Sequence, residues 1–279
     1  MHSEKTGVNP DHTFRRRQFH KAPIENSKHL LINKQGVFSM NEIKFERIYD
    51  LSVLVYSDMQ LHPAEEAAGA RARVEQHDFP DDLPSMCRGG RGPEPGWPIY
   101  HDLELTTHTG THVDATWHFN KRGKRIDEYP IDAFVGKGVV LDFRHLEDCA
   151  PIKAEDLEKA EPEVNEGDIL IINTGRHKQF GTPDYSTKHP GLDGNSVEEF
   201  LLKKKIKMIG MDTICVEPGS EQSHWDHPLH RVCLIENEIL LIENLGGEID
   251  AVTGKRCYIM ALPLKLKADG GPARVIAFS

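Results

Sequence analysis

Short runs of β-branched and apolar residues recur from residue 48 to the C-terminus, and they commit the chain to a large sheet. They fall at Ile48–Tyr56, His101–Thr107, Gly138–Asp142, Asp168–Asn173, Lys207–Met211, Glu238–Ile242, Arg256–Met260 and Ala273–Ala277. Helical patterns lie between them. Pro63–Val74 is rich in Ala and Glu, and Lys153–Ala160 forms a second candidate. Val197–Lys205 follows Ser196 and Glu199 in capping-box spacing and carries Val197, Phe200 and Leu201 on one face. Strands and helices without an internal repeat predict an α/β class. A chain of 279 residues with 38% hydrophobic content suits one large domain better than two.

The boundaries follow from composition. Residues 1–45 are expected to be a poorly ordered N-terminal extension: they are polar, carry Arg15-Arg16-Arg17 and show no sustained periodicity. Residues 46–279 form the expected domain. Gln76–Pro98 holds five prolines (Pro80, Pro84, Pro93, Pro95 and Pro98), which predicts a long irregular loop of the kind that covers binding sites.

A formal charge of −10 argues against binding nucleic acid or anionic membranes, which requires clustered positive charge. No run approaches the roughly 20 apolar residues that cross a bilayer. The N-terminus lacks the apolar segment of a secretory signal, and the five cysteines are odd in number, widely spaced and free of any Cys-x-x-Cys pair. These features predict a cytoplasmic protein and argue against thiol-based metal binding. Neither Gly89-Gly90 nor Gly246-Gly247 forms a phosphate-binding fingerprint, so no nucleotide cofactor is expected.

The chemistry concentrates in Thr107-His108-Thr109-Gly110-Thr111-His112-Val113-Asp114-Ala115-Thr116-Trp117-His118-Phe119. Imidazole and carboxylate suit zinc, manganese or iron, and the absence of nearby Cys favours a catalytic over a structural site. The Thr-Gly-Thr interval makes a strand or tight turn more plausible than a helix. In an extended segment His112 and Asp114 project to one side, and a bend at Gly110 returns His108 to them. A divalent cation lowers the pKa of bound water from ~15.7 towards ~7, which would supply hydroxide as nucleophile. His118, four residues beyond Asp114, is the candidate proton carrier to the departing nitrogen.

The string His-x-Gly-Thr-His-x-Asp followed by His-Phe resembles the signature of the cyclase-like metal-dependent hydrolases, which include bacterial kynurenine formamidase and isatin hydrolase. The resemblance runs from Tyr49-Asp50-Leu51-Ser52 through Asn173-Thr174-Gly175, His189-Pro190-Gly191-Leu192, Gly210-Met211-Asp212-Thr213 and Ile242-Glu243-Asn244-Leu245 to Ala261-Leu262-Pro263-Leu264. It implies that His108, His112 and Asp114 are metal ligands, His118 the catalytic histidine, and His230 and Glu243 further ligands, with one or two zinc or manganese ions per subunit. It also implies a compact domain of the swivelling β/β/α type, a homodimer or homotetramer, and hydrolysis of the C–N bond of an aryl formamide or cyclic amide. The same site could hydrolyse a lactone or ester, and a noncatalytic metal-stabilised binding protein is the alternative of a different class.

Two departures stand out. Thr116 replaces the usual proline between Asp114 and His118, and the interval from His230 to Glu243 is one residue longer than the family pattern. Trp97, Trp117 and Phe119 are candidate apolar walls for an aromatic ring. Glu217-Pro218-Gly219-Ser220 reads as a turn bordering the pocket, His224 and His227 as loop residues, and Asp212 as the holder of a turn or strand end.

Overall fold

The computed structural model describes residues 45–78, 99–219 and 227–279, together with two short paired strands at Ile32–Asn33 and Gly36–Val37. Contacts divide the chain into Met1–Ile43 and Lys44–Ser279. The expected disorder of the N-terminal extension, Arg15 to Arg17, Trp97 and His224 lie outside the described residues.

Apart from a short parallel pair, Pro151–Ile152 with Gly191–Leu192, the strands described in the larger unit are β1 (Ile48–Asp50), β2 (Arg73–Asp78), β3 (Ile99–Glu104), β4 (His112–Asp114), β5 (Val135–Asp142), β6 (Ile169–Asn173), β7 (Met208–Met211), β8 (Leu240–Glu243), β9 (Lys255–Pro263) and β10 (Gly270–Phe278). Seven of them pair in the order β9-β5-β6-β7-β8-β4-β10, and β10 pairs back onto β9, so the mixed sheet closes into a barrel. β5 through β8 run parallel to one another and the remaining barrel pairings are antiparallel, while β1 adds to the outside of β10. Closure removes the exposed edges that an open sheet would present.

The fully apolar run of β6 is explained by burial on both faces. Ile169 and Ile171 join Val113, Val140, Met208, Ile242, Ile259 and Val275 in one cluster, to which all seven barrel strands contribute. Leu170 and Ile172 point the other way, into a core shared with two helices that follow α1 (Pro63–Ala67), namely α2 (Ala154–Lys159) and α3 (Gly194–Lys203), which supply Leu157, Val197, Phe200 and Leu201. Burying such a side chain contributes about 1.5–3 kcal/mol.

Three local expectations are corrected. The helix expected to reach Val74 ends at Ala67, because Gly69 (φ +88°) closes it: the Gly69 and Ala70 N–H groups donate back to the Glu66 and Glu65 carbonyls, a Schellman stop. The chain then turns into β2, so residues 76–78 are strand rather than loop, paired with β3 outside the barrel. Residues 79–98 lie outside the described residues. The cap of α3 is Asp193, which accepts from the Ser196 N–H, whereas the Ser196 hydroxyl accepts from the Ala154 N–H and ties α2 to α3.

Candidate metal centre

The central strand of the site is β4, only three residues long. Val113 points into the barrel, so His112 and Asp114 point out of it, as period-two alternation requires. The antiparallel register sets Glu243 directly opposite His112 and Leu241 opposite Asp114, which brings the Glu243 carboxylate to the same outer face. On the other side β10 places Gly270 opposite Asp114. A Cβ on Gly270 would stand 2.8 Å from the Val113 carbonyl and 3.3 Å from the His108 ring, so the strand approaches this closely only as glycine. Gly110 supplies the expected bend with φ +63°, and His108 returns to Asp114.

His112 Nδ1 donates to the Gly110 carbonyl at 2.9 Å, which leaves Nε2 as the ring nitrogen available to an ion. That nitrogen lies 3.3 Å from Asp114 Oδ1 and 3.6 Å from Glu243 Oε2. His230 Nε2 lies 3.8 Å from Asp114 Oδ2 and 3.6 Å from Glu243 Oε1. His112 Nε2 and Asp114 Oδ2 are both buried without a hydrogen-bond partner. Two orphaned acceptors on neighbouring side chains, with Glu243 Oε2 3.6 Å from the first and His230 Nε2 3.8 Å from the second, are the arrangement a divalent cation satisfies, so the residues present fit one.

The other nitrogens are held by carboxylates. His108 Nδ1 contacts Asp114 Oδ1 at 2.8 Å and His108 Nε2 contacts Asp269 Oδ2 at 3.0 Å. Burial works against charge on this ring, but its two carboxylates outweigh it and push the pKa up to about 11. Asp269 Oδ2 also lies 3.1 Å from His118 Nδ1, and hydrogen bonds from His108 and His118 hold Asp269 well below the usual carboxylate range. His230 donates to Glu217 from Nδ1 at 2.7 Å and from its backbone N–H at 2.9 Å. Burial raises the pKa of Glu243 and Asp114 adds to it, although Glu243 Oε1 accepts from the Val216 N–H at 3.1 Å.

Every proposed ligand and His118 therefore gathers in one place. His118 sits on the turn after β4, its ring 4.1 Å from that of His108. A cavity of about 250 Å³ opens over them, walled by Phe119, Ile214, Asn244, Cys215, His62 and His227. Phe119 packs on His230 at 4.6 Å. Trp117 is not in the wall; its indole N–H donates to the Lys121 carbonyl. Asp212 does hold a turn, accepting from Thr174 and His177. His227 lines the cavity rather than merely linking elements. The interval from His230 to Glu243 contains the π-helix Arg231–Glu236, a winding that takes more residues per turn than an α-helix.

Sequence reasoning did not single out Asp269 or His62, and it read Glu217 only as part of a turn. Asp269 carries a faint signal, an acidic residue before Gly270-Gly271 at the start of the last strand. His62 has none that distinguishes it from an ordinary helix cap, which it also is.

The fold and site together define a closed mixed α/β barrel bearing on its outer face a buried His/Asp/Glu cluster able to hold a cation. The family model named Cyclase, described as "Putative cyclase", matches residues 49–218, and the chain belongs to that family. The match includes His108, His112, Asp114 and His118 and stops before His230 and Glu243. Among curated relatives, kynurenine formamidase of Bacillus thuringiensis (strain Al Hakam) is 31% identical over 175 residues, 62% of this chain and 77% of that protein. Among solved structures, isatin hydrolase A from Labrenzia aggregata bound to benzyl benzoate superposes with a TM-score of 0.67 at 22% identity, covering 83% of this chain and 93% of that one. A protein described as a "Potential Metal-Dependent Hydrolase With Cyclase Activity" gives 0.61 at 22% identity, covering 83% and 97%. At these identities the structural likeness is one of fold. No helix among the described residues is long and apolar enough to cross a membrane.

Proposed function

We propose that the chain is a metal-dependent amidohydrolase that cleaves the C–N bond of an aryl formamide or cyclic amide. The supporting observation is the pair of buried, unpartnered acceptors, His112 Nε2 and Asp114 Oδ2, in residues adjoining a cavity that His112 and His118 both line. His112, Asp114, His230 and Glu243, joined by His108 once it gives up one of its two carboxylate contacts, would hold one or two divalent ions, zinc or manganese. Such an ion supplies Lewis acidity, polarising a carbonyl and acidifying water.

The chain's own groups account for the rest. Asp269 fixes the Nδ1 side of His118, so Nε2 is the atom left to take a proton from water and return it to the leaving nitrogen. An amide needs that delivery because an amine anion is a very poor leaving group. Phe119 gives the cavity a flat apolar wall for an aromatic ring, and its volume suits a small substrate. The names of the Bacillus relatives support a formamide substrate. The proposal includes a cytoplasmic homodimer or homotetramer whose catalytic domain is 46–279.

The test is His118→Ala assayed on N-formylkynurenine, isatin and simple lactones with bound metal quantified in parallel. The expected result is retained metal and turnover reduced by about 10²–10⁴-fold. Full activity in that variant rejects the proton carrier, and lactone turnover without amide turnover rejects the amide reading.

A further inference from the structure

On the side of His230 away from Asp114 lies a second group of donors. Glu217 Oε2 receives His230 Nδ1 at 2.7 Å and the Cys215 thiol at 3.1 Å, and His227 Nδ1 stands 3.7 Å away. Holding His230 in place requires only the first of these contacts. His227 Nδ1 is buried and makes no hydrogen bond, so the group contains an orphaned imidazole nitrogen of its own. The donor atoms of Cys215, Glu217, His227 and His230 all lie within 4.8 Å of one another.

The spacing carries chemical information. A tetrahedral zinc with S, N and O ligands at about 2.0–2.3 Å separates neighbouring ligand atoms by about 3.5 Å. The Cys215–Glu217 and His227–Glu217 separations, 3.1 and 3.7 Å, bracket that value. The donor set also differs in kind from the centre on β4, which offers only nitrogen and oxygen. Thiolate selects softer ions.

We propose that Cys215, Glu217 and His227 form a second cation site for a thiophilic divalent ion such as zinc or cadmium, adjacent to the centre on β4. Binding breaks the Cys215 S–H bond, sends that proton to solvent and forms a sulfur–metal bond, while His227 contributes the Nδ1 lone pair. Without an ion the thiol stays protonated, because burial and the neighbouring carboxylates oppose the thiolate. Occupancy draws Glu217 Oε2 away from His230 Nδ1 and loosens the imidazole that faces Asp114 and Glu243. The site therefore responds to excess thiophilic metal by lowering activity.

The experiment is a cobalt(II) titration of the full-length, reduced protein followed by absorption. Ions in a nitrogen and oxygen site give only weak visible bands, whereas a thiolate ligand adds a sulfur-to-cobalt charge-transfer band in the near ultraviolet. Wild type is expected to develop that band with one further ion and one released proton per chain. Cys215→Ser is expected to lose the band, and His227→Ala, at a less buried position, to require at least tenfold more cobalt. Absence of the band in wild type overturns the proposal, as does an undiminished band in Cys215→Ser. The spectral readout is independent of turnover, so its failure is distinct from failure of the amidohydrolase reading.

Discussion

Removing the proposed divalent ion should destabilise the fold by an amount set by the two orphaned atoms. His112 Nε2 and Asp114 Oδ2 are buried in side chains that are 1% and 0% exposed as residues, and neither has a partner. Leaving a buried polar group unsatisfied costs about 1–3 kcal/mol, so the pair carries roughly 2–6 kcal/mol that a cation can recover. Mass action gives an independent figure: an ion at about 100 times its Kd contributes about 2.7 kcal/mol, inside that range. For a domain of this size each kcal/mol moves Tm by about 2–4 °C, which converts to roughly 5–11 °C. The assay is thermal unfolding of chelated against zinc- or manganese-loaded protein, repeated with Asp114→Asn. Loaded wild type should melt higher by that interval and the variant should show little ion dependence. Coincident melting of chelated and loaded wild type, or an undiminished shift in Asp114→Asn, would refute the reasoning that these atoms await a cation.

Other outcomes follow from neighbouring residues. Asp269→Asn removes the carboxylate shared by His108 and His118, and turnover and metal affinity should each fall about 10–100-fold, read by steady-state kinetics and chelator competition. Gly110→Ala places a Cβ 3.1 Å from Val55 at φ +63°, and urea unfolding should show a loss of about 1–2 kcal/mol. His189 is buried and burial lowers its pKa from 6.5 to about 4. As pH falls below 6.5 the unfolded chain takes up a proton that the folded one refuses, so stability declines towards pH 4 and levels off below it, by roughly 3 kcal/mol in all. Urea midpoints should show a shallower acid decline in His189→Gln; equal slopes in the two proteins would exclude His189 as the source.

Much of this arrangement is legible in local pattern. The Ile169–Asn173 run announces a strand buried on both faces, and alternation along His112-Val113-Asp114 assigns the two ligands to one side before any partner strand is known. What pattern cannot supply is register between distant segments. Glu243 reaches His112 only because β8 lies antiparallel to β4 with those residues opposed, and its assignment rested on resemblance. Barrel closure depends likewise on β9 pairing with both β5 and β10. The Pro63–Val74 error has a different origin: Ala and Glu favour helix throughout, but Gly69 in the left-handed region stops it after five residues. The absence of a Cys-x-x-Cys pair argued against thiol-based metal binding, but spacing along the chain says nothing of Cys215 and His227, which the fold brings together across twelve positions.

The way each imidazole is held shows why the missed carboxylates matter. His112 lies on a barrel strand, where the ladder fixes the backbone and one hydrogen bond to the Gly110 carbonyl fixes the ring. His108, His118 and His230 lie on turns or a short helix, where the backbone alone orients a ring poorly, and each has one nitrogen bound to Asp269 or Glu217. The rigid strand needs a carbonyl; the less regular segments need charge-assisted hydrogen bonds, which are roughly twice as strong as neutral ones. On this logic Glu217→Gln, which keeps one carbonyl acceptor but removes the charge, should weaken metal binding more at the His230–Glu243 side than at His108 and His112. Counting bound ions during chelator titration checks it: the variant should release one ion about 10–100-fold more readily while any ion between His108, His112 and Asp114 stays at wild-type affinity. Uniform weakening of all bound metal would show instead that Glu217 supports the cluster as a whole, and that the division between strand-held and carboxylate-held ligands has no energetic meaning.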